Sequence, residues 1–155
     1  MNSLYTLARQ LLTLGADGTP IYSDYLTQLN REVYEQALVL RTVQPGNTPK
    51  AEAELCLSLL LAFNATIYDD GSKQQYIQEA LDRSWEVLPQ LAPSLLKVRL
   101  LTYCYSEIYE EELAAEAHAI INTWKKEELT LEQGEIIDEL ANFEENQYPW
   151  EVIED

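Results

Sequence analysis

One stretch governs what this chain can fold into. From Leu55 to Ile67 the sequence LCLSLLLAFNATI places apolar side chains nearly all the way round a helix, and in a globular protein such a helix needs packed neighbours on most sides. Thr48 followed by Pro49 is the N-cap and first-turn proline arrangement that opens a helix at little cost, and Glu52 and Glu54 favour its positive end. The longest apolar run, Leu55 to Phe63 with Ser58 inside it, is about half of the roughly 20 residues a membrane span requires. The expectation is a central helix in a helical protein, with no membrane segment.

The flanking sequence supplies the neighbours. Leu4, Leu7, Leu11 and Leu14 recur at helical spacing between Ser3, a capping residue, and Gly15, which suits a left-handed helix end. After the turn formers of GADGTPIYSD, Ser23 or Asp24 caps a second helix to about Thr42, with Leu26, Leu29, Val33, Ala37 and Leu40 on one side. VQPGNTP breaks the chain before the central helix and TIYDDGS after it. A fourth helix from about Lys73 turns Tyr76, Ile77, Ala80, Leu81, Trp85 and Leu88 inward and stops at Pro89. Pro93 opens a fifth, in which only Ser94, Lys97 and Arg99 read as clear solvent residues. A sixth, from roughly Glu110, carries Leu113, Ala117, Ile120, Ile121 and Trp124; the sequence leaves open whether it is separate from the fifth or continues it as a kinked rod. Thr130 to Gln133 spell the T-x-x-Q capping box of a last helix, whose inner face is Ile136, Ile137, Leu140 and Phe143.

No segment alternates apolar and polar residues as a half-buried strand would, and no fixed-period repeat suggests a solenoid. The predicted fold is therefore all-α, an irregular orthogonal bundle of about six to seven short helices, with stacked helical hairpins as the alternative arrangement. Residues 1–143 are read as one helical domain and 144–155 as an acidic aromatic tail. With 155 residues, 46% hydrophobic, and ten tyrosines, the chain has the apolar side chains for one proper core.

Charge narrows the function classes. The net charge of −17 is unevenly placed: residues 107–155 carry sixteen acids against Lys125 and Lys126, whereas residues 1–106 carry eleven acids and eight bases. Phosphate backbones are bound by lysines and arginines that displace counterions, so the balance argues against direct nucleic-acid binding. It suits a basic protein partner, or simply keeps the chain in solution. The start, MNSLYTLARQLLTLG, lacks a basic n-region and interrupts its apolar residues, so no export signal is read and the cytoplasm is the expected compartment. Cys56 and Cys104 each lie in apolar sequence without a second ligand nearby; they read as small buried hydrophobes, with a disulfide left open.

Chemistry is sparse. The only histidine, His118, sits mid-helix in the apolar AAEAHAII and reads as structural, with Glu116 two residues away and unable to face it. Nothing cationic near Cys104 would lower its pKa. Glu107 with Glu111, and Glu112 with Glu116, have helical spacing, but di-metal bundles require two Glu-x-x-His units and one histidine cannot supply them. There is neither a P-loop nor a G-x-G-x-x-G sequence. Catalytic, cofactor and metal residues are accordingly expected to be none. Arg83, Lys97 and Arg99 read as ion-pair partners of acids on adjacent helices, or alternatively as a contact area of opposite sign. The tail EENQYPWEVIED either folds back to plug the bundle or serves as a docking strand anchored by Trp150.

Several long strings, in this order, carry a resemblance: LGADGTPIYSD, GNTP with AELCLSLLLAFNATIYDDG, LDRSWEVL with SLLK, EEELAAEAHAIINTW, and YPWE. Together they cover nearly the whole chain, which resembles the UpxZ family of transcription antitermination antagonists. The resemblance implies a regulator encoded with a capsular polysaccharide locus that blocks NusG-like antitermination factors of other loci. It implies no catalysis and no cofactor, and it carries over no contact residues. The charge pattern makes Glu110, Glu111, Glu112, Glu144, Glu145, Tyr148 and Trp150 the expected contact set. The alternative is a generic acidic helical scaffold or oligomerisation module. The oligomeric state is not legible in the sequence.

Overall fold

A computed structural model of the chain describes residues 3–15, 18, 23–42, 47–67 and 71–146. Among them the fold is all-α, with no strand and with seven α-helices: α1 (Ser3–Leu12), α2 (Ser23–Leu40), α3 (Pro49–Ala65), α4 (Lys73–Val87), α5 (Leu95–Ile108), α6 (Glu111–Ile121) and α7 (Leu131–Glu145). Two compact units account for them, residues 1–90 and residues 91–155.

In the first unit α1, α2 and α4 all pack on α3. This is what its sequence demands: Ala53 and every residue from Leu55 to Phe63 are buried, Ser58 included, and the Ser58 hydroxyl returns its hydrogen bond to the Glu54 carbonyl at 2.7 Å. Thr48 caps the helix by accepting from the Ala51 N–H at 3.1 Å, with Pro49 in the first turn. The helix ends at Ala65, two residues before the apolar run does, so Ile67 points outward at 79% exposure while its N–H bonds the buried Asn30 side chain at 2.9 Å. Leu4, Ala8 and Leu11 of α1, Leu29, Val33 and Ala37 of α2, and Ile77, Ala80 and Leu81 of α4 complete this core. Gly15, at φ 81°, adopts the left-handed conformation expected of it after α1. Trp85 departs from expectation: it is 41% exposed, and Ser84 and Val87 take the inward positions, because the buried face of α4 runs 77, 80, 81, 84, 87.

In the second unit α6 and α7 both pack on α5, again the helix with apolar residues most of the way round. Ser94 caps α5 by accepting from the Lys97 N–H at 3.1 Å. α5 and α6 are separate helices. Tyr109, left-handed at φ 52°, ends α5 and donates its N–H to the Tyr105 carbonyl at 2.8 Å. The capping box of α7 is complete: Thr130 Oγ1 accepts from the Gln133 N–H at 3.1 Å and the Gln133 side chain accepts from the Thr130 N–H at 2.8 Å. Ile136 and Leu140 are buried, Ile137 and Phe143 half-buried. Lys97, expected in solvent, is only 8% exposed, for a reason that bears on the surface. Among the described residues no helix is long and apolar enough to cross a membrane.

Candidate protein-interaction surface

The surface of the second unit is decided by where its cations go. Lys97 on α5 lies along the neighbouring helix and places its ammonium 2.7 Å from Glu116 on α6 and 3.3 Å from the Leu91 carbonyl. Arg99, two residues on, reaches Glu132 on α7 at 3.1 Å. The first unit does the same with Arg83, whose Nε and Nη2 grip both carboxylate oxygens of Glu52 at 2.8 and 2.7 Å. Arg41 there holds both oxygens of Glu79 at 2.8 Å and lies 4.2 Å over the Tyr76 ring. Arg83, Lys97 and Arg99 are thus each committed to an acid on another helix of their own unit, which is the first of the two readings their sequence allowed.

With those bases turned inward, the outer faces of α6 and α7 are left mainly to acids. Glu110 is the N-cap residue of α6 but makes no side-chain capping hydrogen bond, so its carboxylate stays outward beside Glu111 and Glu112 in the first turn. All three are exposed. The helix dipole favours this placement. Glu144, on the last turn of α7, is half-buried and places an oxygen 2.8 Å from Nε2 of His118 on α6. Glu145 beside it is exposed. His118 lies six residues beyond Glu112, about 9 Å along the helix at 1.5 Å per residue, so Glu144 and the Glu110–Glu112 group sit against different ends of α6. Tyr148 and Trp150 lie outside the described residues.

His118 joins two helices. Its apolar neighbours Ala117 and Ile120 face the core, but 100° of helical rotation per residue turns the imidazole outward, where its side chain is 47% exposed and ties α6 to α7. The carboxylate pairs noted in the sequence come apart: Glu107 and Glu111 fall on different helices, and Glu116 answers Lys97. Among the described residues no group of three or more His, Cys, Asp or Glu side chains is arranged to hold a metal.

One cavity lies within the first unit, about 260 Å³, between the N-terminus of α3 and the end of α4. Thr48, Pro49, Val87 and Gln90 line it, with the Glu52–Arg83 pair beneath. Hydrogen bonding to Glu52 pushes the Arg83 pKa further up, so the guanidinium is a fixed charge. Cys56 is close by, its Sγ 3.8 Å from Glu52, and burial together with that negative charge raises the thiol to about 12, the wrong direction for a nucleophile. Neither cysteine forms a disulfide among the described residues, and both are buried.

Comparison with known proteins supplies the family. Residues 1–106 match the model of the UpxZ family of transcription anti-terminator antagonists. The chain belongs to the UpxZ family. A crystal structure of the transcription anti-terminator antagonist UpxZ from Bacteroides uniformis ATCC 8492 is 49% identical, covers 99% of this chain and 100% of its own, and superposes with a TM-score of 0.84. No curated protein matches. The UpxZ family match ends inside α5, ahead of the acidic residues of α6 and α7, whereas the likeness to the UpxZ crystal structure runs through them.

What the sequence did not announce is the apolar start of α7. Leu129 and Leu131 are exposed, Leu131 at 80%. The available signal was the capping box itself: a leucine before the cap normally packs against the fourth helical residue, and here that residue is Gly134, which offers no side chain.

Proposed function

We propose that this UpxZ-family protein acts in the cytoplasm by direct binding to NusG-like antitermination factors of other capsular polysaccharide loci. The acidic outer faces of α6 and α7 cover a basic surface of the factor and mask its contact with RNA polymerase or with leader nucleic acid. Glu110, Glu111, Glu112, Glu144 and Glu145 supply the charge, and Tyr148 and Trp150 the aromatic anchor. The reading needs no catalysis and no cofactor. Its main support, beyond family membership, is that Lys97 and Arg99 are consumed by Glu116 and Glu132 inside the unit, which leaves an outer surface of one predominant sign.

The test is binding of the purified protein to a panel of NusG-like factors from the same genome at two salt concentrations. Salt-sensitive capture of some members is expected. Replacing Glu110, Glu111, Glu112 and Glu145 by Gln should slow association at low salt by roughly 10- to 100-fold, because long-range steering scales with the complementary charge. Unchanged association would refute the acidic-face mechanism.

A second reading has one observation in its favour: the family match covers the first unit, which contains the Glu52–Arg83 cavity, and stops short of α6. If contact is made there, Glu86→Gln on the cavity wall weakens capture while the α6 variants do not. A third, a scaffold whose acids serve solubility, would self-associate in light scattering and capture no factor.

A further inference from the structure

The outer face of α7 is not uniformly acidic. Residues three and four apart share a helix face, so Leu131, Gly134, Glu135, Asp138 and Asn142 form one continuous stripe ending at Glu145, about 21 Å long at 1.5 Å per residue. Leu131 at its head is 80% exposed, and Leu129, just before the cap, is exposed as well. Glycine is among the least favourable residues in a helix interior, and Gly134 has no local excuse. Its backbone is not left-handed, and, its chain neighbours and the backbone of its own helix aside, no atom of the described residues lies within 4 Å of where a Cβ would stand. The free protein therefore accepts a helix-weakening residue and two solvent-facing leucines on the same small patch.

That combination is intelligible if something else comes close to the backbone at Gly134. We propose that Leu129, Leu131 and the bare backbone of Gly134 form the apolar centre of the interface with the protein partner, and that they receive an apolar side chain from a basic segment of it. The occupant's sign follows from the surround: of the eight acids in residues 125–145, Glu132, Glu139 and Glu144 are engaged by Arg99, Tyr103 and His118, and Glu127, Glu128, Glu135, Asp138 and Glu145 are exposed against Lys125 and Lys126. An apolar centre flanked by mainly negative charge has the anatomy of a specific interface with a partner of the opposite sign. The inference rests on the direct-binding reading and gives it a centre, which the acids alone do not provide.

Two substitutions test it against a NusG-like factor that the wild-type protein captures. Leu131→Glu alters an exposed side chain, so the helical circular dichroism should be unchanged while affinity falls roughly 30-fold. Gly134→Ala should raise the thermal midpoint by about 2–4 °C, since alanine is the better helix former, yet weaken binding at least about fivefold because its methyl fills the contact space. Stability and affinity moving in opposite directions at one residue would not arise from a purely structural glycine. If both variants bind like wild type while the Glu110–Glu112 glutamine variant is weakened, the apolar centre is refuted and the direct-binding reading stands. If wild type captures no factor, both fall. If the protein is a dimer that Leu131→Glu dissociates, the patch is a self-interface and the proposal is overturned.

Discussion

At the scale of the single residue, the most consequential interaction is the Glu52–Arg83 pair, with both side chains at least four-fifths buried and joined by two parallel hydrogen bonds. Removing one member leaves the other as an uncompensated charge, so Arg83→Ala is expected to cost roughly 3 kcal/mol in urea unfolding, whereas Glu52→Met with Arg83→Met should cost much less. Cys56 gives a pH signature. Its thiol is held at about 12 in the fold against 9.0 in the open chain, so above pH 9 the unfolded state sheds a proton that the folded state keeps. The associated stability is complete below pH 9 and is lost as pH rises from there towards 12. Native protein near pH 9 should resist alkylation at Cys56, and unfolded protein should not; equal rates would contradict the burial. These features were only half legible in the sequence. Glu52 looked like a first-turn dipole partner because a local reading assigns its charge to its own helix, and Lys97, although expected to pair with an acid on an adjacent helix, looked exposed. Both are buried by partners 31 and 19 positions away, on helices whose alignment the sequence does not specify.

At the scale of the element, the helices were legible wherever side chains close their ends. Thr48 and Thr130 each accept the hydrogen bond that their position called for, and α3 and α7 begin where those residues place them, whereas α5, expected to open at Pro93, is capped by Ser94 and begins at Leu95. Thr130→Ala opens the capping box and should cost about 1 kcal/mol, read as a shift in the urea midpoint without a change in slope. The α5–α6 boundary was not legible, because it depends on Tyr109 adopting a left-handed conformation that favours glycine or asparagine. Trp85 was misjudged on a related ground: α4 buries a face one position round from the one its largest side chains marked, and serine supplies part of it, with Ser84 bonded to the Ala80 carbonyl at 2.7 Å.

For the molecule as a whole, the uneven charge has a physical cost. Acids concentrated after residue 107 repel one another in the compact state, and salt screens exposed charges over a Debye length of about 8 Å at physiological ionic strength. Raising the salt to roughly 0.5 M should therefore increase the thermal midpoint of the free protein, while the same salt weakens capture of a basic partner. A midpoint indifferent to salt would mean that the acids are too well hydrated for their repulsion to matter.

The inward commitment of the cations also governs which changes the protein can absorb over evolutionary time. Arg83, Lys97 and Arg99 each join two helices and Arg41 joins the end of α2 to α4, so losing one removes a cross-link and leaves its acid unpaired. An outward acid such as Glu111 or Asp138 has no such duty to the fold, and within a generally negative surface its position is nearly interchangeable with its neighbours'. Related chains should therefore hold the paired positions fixed while their outer acids migrate from site to site. A lineage could then retarget its surface towards a new opponent one carboxylate at a time without rebuilding the scaffold beneath.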